Sequence, residues 1–186
     1  MRELVLCFLD IQSEALEDNW LNRAAASIVP NCSRIRNGKP CPIVHVEIWF
    51  RDTPKDGYSC SICYNKRVHW HKKSFSRVWS FRSIYCSEEA YSAIKSWCMM
   101  QRGCGFNTLG FFGMGLRLRM SGAWTTFFGF RPRYFCSELV TKALVHGGIL
   151  AKTQRTVIHP EELFLLIAPI SSVTSIKERN FNHINY

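Results

Sequence analysis

Tyr134-Phe135-Cys136-Ser137-Glu138-Leu139-Val140 is the stretch on which the reading of this chain turns. From Cys136 onward Leu139, Val140, Ala143 and Leu144 recur at helical spacing until Gly147 and Gly148 stop them, which predicts a helix over 136–146 with one buried face. Cys136 then stands where that helix begins, beside unpaired backbone N–H groups and the positive end of the peptide dipoles, both of which favour a thiolate. The same N–H groups could hold the oxyanion formed when sulfur attacks a carbonyl. Ser137 and Glu138 are the candidates for supporting that first turn, Glu138 first of all as a complement to the helix dipole.

A thiolate nucleophile needs a proton acceptor. His45 in Ile43-Val44-His45-Val46-Glu47-Ile48 is the histidine best held by regular structure, and strand alternation puts Glu47 on its face. Outward from these two anchors, 4–11 and 43–50 read as strands, the latter turning through 51–57 into a return strand over 58–64. A further strand is expected at 77–85. Ser13 can cap a helix to Ala26 with Leu16, Trp20 and Ala24 as its apolar stripe, and Ser87 opens another that Gly103 ends. Pro160 with Glu161 and Glu162 starts a short last helix to Leu166. Between Gly103 and Tyr134, seven glycines alternate with large aromatics, and this reads as a long apolar loop without helix or strand.

The chain has 186 residues, 47% of them hydrophobic, enough for one substantial core, so residues 1–186 are expected to form a single domain. No apolar run approaches the length of a membrane-spanning helix, and Asp10 interrupts the first apolar stretch before it could act as a secretory core. An intracellular protein is expected, in a host cytoplasm or virion if viral. Nine scattered cysteines do not make the even framework of a secreted scaffold. The formal charge of +10, from 24 Lys and Arg against 14 Asp and Glu, favours anionic partners.

His45-Val46-Glu47-Ile48 followed far downstream by Phe135-Cys136-Ser137-Glu138-Leu139-Val140 resembles the NlpC/P60 superfamily in its permuted order, histidine strand first and cysteine helix last. It is similar to the branch that holds bacterial YiiX-like and YaeF-like proteins, poxvirus NlpC/P60-like proteins and short proteins of large DNA viruses. Trp20, Gly105-Phe106-Asn107 and His159-Pro160-Glu161-Glu162-Leu163 extend the resemblance over about residues 20 to 165. It implies an α+β, circularly permuted papain-like fold, with a small antiparallel sheet packed against the cysteine-bearing helix. It further implies a cysteine-dependent hydrolase or acyltransferase acting on an amide, thioester or ester carbonyl, without a cofactor, through a Cys-His pair oriented by a third polar residue. The strand after the histidine strand offers only Ser59, Ser61 and two tyrosines for that third place; Glu47 or Asp56 can take it, or the pair can act without one. The candidate catalytic set is Cys136, His45 and Glu47.

Two rival functions follow from the same residues. The fold could serve a non-catalytic viral structural or interaction protein, or the basic residues could make a nucleic-acid-binding module. Phe111, Phe112, Arg117, Arg119, Arg131 and Arg133 are the expected rim of the site, facing an acyl or peptide substrate or an anionic lipid or membrane surface. Cys60, Cys63, His69 and His71 invite a zinc reading, but only five residues separate Cys63 from His69, far from finger spacing, so no metal is expected.

Overall fold

The computed structural model of the chain describes residues 1–13, 20–29, 32, 34–36, 38–51, 56–76, 78–115 and 118–173. In chain order its elements are β1 (Arg2–Asp10), α1 (Trp20–Ser27), the short pair β2 (Ile35–Arg36) and β3 (Lys39–Pro40), β4 (Ile43–Arg51), β5 (Gly57–Ser61), β6 (His69–Lys73) and β7 (Ser80–Cys86). There follow α2 (Glu88–Met100), β8 (Gly105–Phe106), α3 (Thr108–Gly115), a 3-10 helix (Gly122–Phe128), β9 (Arg133–Tyr134), α4 (Cys136–His146), α5 (Pro160–Leu166) and β10 (Ser172–Val173). Five longer strands and the two-residue β10 form one antiparallel sheet in the order β10-β7-β1-β4-β5-β6.

Period-two patterning decides which side chains meet which layer. Leu4, Leu6 and Phe8 of β1, with Val46, Ile48 and Phe50 of β4, face the helices and pack with Ile94 of α2, Leu139, Val140 and Leu144 of α4 and Leu163 of α5. Each such fully buried side chain contributes about 1.5–3 kcal/mol relative to exposure. On the opposite face Val5, Cys7, Leu9, Trp49 and Phe81 of the sheet cluster with Phe75 and Trp79, which precede β7. Phe75 lies edge-on to Trp79 at a centroid separation of 4.8 Å. The architecture is therefore mixed α and β, an antiparallel sheet with helices on one face. Among the described residues no helix is long and apolar enough to cross a membrane.

Three expectations need correction. The stretch 103–134 is not a structureless loop: it holds α3, the 3-10 helix and the parallel pair β8–β9. Its glycines allow close packing, since at Gly110 a Cβ would collide with the Asn107 side chain and the Met120 carbonyl, and at Gly122 with the Arg133 backbone. Its caps are explicit in the sequence, Asn107 accepting from Gly110 N–H at 3.0 Å and Ser121 from Ala123 N–H at 3.3 Å. Trp20, placed in an apolar stripe, is 63% exposed and stacks on Phe112, with Ala25 taking the buried position on α1. The return strand stops at Ser61 instead of Tyr64. The proposed start of the first helix, including Leu16, lies outside the described residues, as does Arg77.

Candidate active site

The position of Cys136 is set by what precedes it. β9 pairs in parallel with β8, and Asn107 N–H donates to the Tyr134 carbonyl at 2.9 Å, so the chain is fixed up to the buried cap residue Phe135. Phe135 is extended and supplies no side-chain acceptor to the turn that follows. The first helical bond is Leu139 N–H to Phe135 C=O at 3.0 Å. The earlier N–H groups of α4 therefore have no capping side chain from Phe135, and they sit beside the Cys136 sulfur.

His45 meets that sulfur because β4 loses its β5 neighbour there. β5 pairs with β4 only from Ile48 to Arg51, and toward His45 the chain departs as Ile62-Cys63-Tyr64. On the other side the register with β1 shifts between Leu9 and Asp10, a local irregularity of the kind that re-aims a side chain. The start of β4 is pinned by Ile43 N–H donating to Glu161 Oε2 at 2.8 Å. In the resulting gap the imidazole lines the same cleft as the Cys136 side chain, while its Nε2 stands 3.2 Å from Glu47 Oε1.

Glu47 is buried and fully engaged. It accepts from Ser59 Oγ at 2.6 Å and from Lys73 Nζ at 2.8 and 3.0 Å, and that ammonium also lies over the rings of Phe75 and Trp79. Burial alone would raise the Glu47 carboxyl, but His45 and Lys73 outweigh it and bring it down to about 2. Burial likewise pushes the His45 imidazole down, and the hydrogen bonds to Cys136 and Glu47 overcome this and hold it well above its ordinary value. The arrangement sets an imidazole between a sulfur with which it walls one cleft and a carboxylate to which it is hydrogen-bonded, the order of groups that nucleophilic cysteine chemistry uses.

The line opens into a narrow cleft of about 50 Å³, walled in part by Cys63, Phe106, Phe111, Met114 and His159. Cys136 itself is 8% exposed. His159 is part of the wall and takes no part in the line: Nδ1 accepts from Glu161 N–H at 3.1 Å and Nε2 donates to the Ala25 carbonyl at 3.0 Å. Burial holds this imidazole down to about 4, so it is neutral at ordinary pH.

The remaining sequence-named residues divide. Ser137 Oγ donates to the Ile158 carbonyl at 2.6 Å, so its side chain anchors the approach to α5. Glu138 is fully buried and accepts from Asn107 Nδ2 at 3.2 Å and Ser121 Oγ at 2.6 Å, with Lys142 Nζ at 2.9 Å. Both side chains are thus occupied away from the sulfur, and what this turn presents to the cleft is backbone. Of the expected rim, Phe111 lines the cleft and packs on Phe106, Phe112 turns outward to Trp20, and Arg119 is held by Glu162 and the Val157 carbonyl. Arg131 donates to the Met100 carbonyl at 3.0 Å, Arg133 borders a separate larger cavity, and Arg117 lies outside the described residues. Asp56, the alternative third residue, pairs with Lys72 instead.

The zinc candidates are parted as well. Cys60 is buried against Cys98, Cys63 is exposed at the cleft, and His69 and His71 lie on the edge strand β6. Lys73 carries no signal in the sequence, because its contact with Glu47 depends on the pairing of β5 with β6. His159 left a signal: a polar residue three positions before a glutamate, with proline between, is a capping-box pattern. Comparison of the chain with protein-family models, with curated proteins and with solved structures finds no match.

Proposed function

We propose that the chain is a cysteine-dependent hydrolase or acyltransferase with a permuted papain-like fold of the NlpC/P60 kind, acting on an amide, thioester or ester carbonyl. The observation that carries this reading is His45 set between Cys136, with which it walls one cleft, and Glu47, which Ser59 and Lys73 close from behind. With Nε2 turned to Glu47, Nδ1 is the nitrogen left for the Cys136 sulfur. Cys136 thiolate would add to the acyl carbonyl, and the developing oxyanion would fall toward the free N–H groups at the start of α4. Imidazolium would give its proton to the leaving amine, alcohol or thiol, leaving a thioester. Neutral His45 would then take a proton from water, or from another acceptor, as that acceptor attacks the thioester and the C–S bond breaks, which restores the Cys136 thiolate beside an imidazolium.

A second reading, a non-catalytic structural or interaction protein that keeps this fold, draws support from the small cleft and the low exposure of Cys136. An activity-directed acyl electrophile separates the two. Among nine cysteines, Cys136 should be modified fastest, ahead of the more exposed Cys63, and His45→Ala should slow modification of Cys136 by about tenfold or more. Cys63 has exposure but lacks the helix start. Preferential labelling of Cys63 with Cys136 inert would favour the scaffold.

A further inference from the structure

The segment from Gly122 to Arg133 carries a group of side chains that the cleft does not use. Its 3-10 helix is fastened inward by Gly122, packed on the Arg133 backbone, and by Thr125 Oγ1, 2.8 Å from the Gly122 carbonyl and 2.9 Å from the Arg131 carbonyl. Because those residues fix which side faces in, the aromatics cannot turn to the core. Phe127 is 89% exposed, Phe128 63% and Phe130 69%, with Trp124 stacked edge-on to Phe128. Beside them a cavity of about 490 Å³ opens between Asn107–Leu109 and Trp124–Phe130, with Arg133 at its border. A rigid ledge of three exposed phenylalanines is costly in water unless something covers it.

The charge around the ledge says what covers it. From Ala90 to Ser137 the sequence contains no aspartate or glutamate over 48 positions, and it contains six bases: Lys95, Arg102, Arg117, Arg119, Arg131 and Arg133. Arg131 and Arg133 are exposed and flank the aromatics, and among the described residues neither is paired with a carboxylate. Apolar side chains on an anchored platform flanked by two arginines, Arg131 and Arg133, match the interface of an anionic bilayer, where rings lie at the acyl boundary and guanidinium groups meet lipid phosphates. We propose that this ledge docks the protein on anionic membrane surfaces, with Phe127, Phe128 and Phe130 inserted and Arg131 and Arg133 at the headgroups. This rests on the exposed surface alone and holds whether or not Cys136 is a nucleophile.

The test is co-sedimentation of the full chain with phosphatidylcholine vesicles with and without phosphatidylserine, in low and high salt. Binding should require phosphatidylserine and weaken as salt rises. Phe127→Ser combined with Phe128→Ser should lower it by about tenfold or more, since insertion scales with buried apolar area, and Arg133→Gln should lower it less. Thermal unfolding should be unchanged in the paired variant, because both rings are already in solvent. Equal binding to neutral vesicles, no binding, or a paired variant that binds normally would overturn the proposal. So would a wild-type dimer that the paired variant converts to monomer, which would assign the ledge to a second copy. Cys136→Ala should bind vesicles as wild type does, and the paired variant should still label at Cys136, so this proposal and the catalytic one can fail separately.

Discussion

A carboxylate that receives an imidazole, a hydroxyl and an ammonium together, as Glu47 does, has a charge its surroundings require. That charge also lifts His45, since the Glu47 hydrogen bond is among the causes that raise the imidazole against its burial. Glu47→Gln keeps the shape and removes the charge. His45 then loses its proton at lower pH, and the step in the pH profile of Cys136 alkylation that follows His45 should move to lower pH. A profile that stays in place would remove Glu47 from the proposed catalytic line and leave it a partner of Ser59 and Lys73. Glu47 and His45 could be put on one face from strand alternation. Lys73 could not, because nothing in a linear sequence fixes which residue of β6 lies across from β5.

At the scale of elements, the unit that matters is the tie between α4 and the segment before it. Glu138 gathers Asn107, Ser121 and Lys142, and Asn107 and Ser121 are themselves the caps of α3 and of the 3-10 helix. One buried glutamate thus fixes both short helices against the cysteine helix. Glu138→Ala should cost about 3 kcal/mol, because it leaves a largely buried ammonium and an amide without their acceptor. Urea unfolding measures this, and a loss under about 1 kcal/mol would show that the apolar packing of Phe106 and Phe111 holds the segment by itself. Glycine content alone makes the region read as a loop, whereas Asn107 and Ser121 cap two short helices in it. Glycine there marks close approach, which depends on what lies across from it and is not written in local sequence.

For the whole molecule, His159 links three parts of the fold, accepting from α5, donating to α1, and standing beside the glutamate that pins the start of β4. Its pKa of about 4 in the fold lies below the value of about 6.5 expected when unfolded, so the unfolded chain takes up a proton first. Stability should therefore fall as pH drops from about 6.5 to about 4, by on the order of 3 kcal/mol, and change no further from this residue below that. His45 has the opposite sign and loses nothing in this window, and the Glu47 contribution is lost only between about 4.3 and about 2. His159→Asn retains a capping acceptor and should flatten the slope in urea midpoints between pH 7 and 4.5. If the slope persists, the acid sensitivity belongs to another group. The strand that bears His45, the helix that begins at Cys136 and the mixed α and β layering are legible in the chain, since each follows from periodicity and end signals within a few neighbouring residues. That the two share one cleft, that Ser59 and Lys73 enclose Glu47, and that Phe127, Phe128 and Phe130 stay outside emerge from the folded chain, because strand register, the early end of β5 and the anchoring of the 3-10 helix join residues that local signals do not connect.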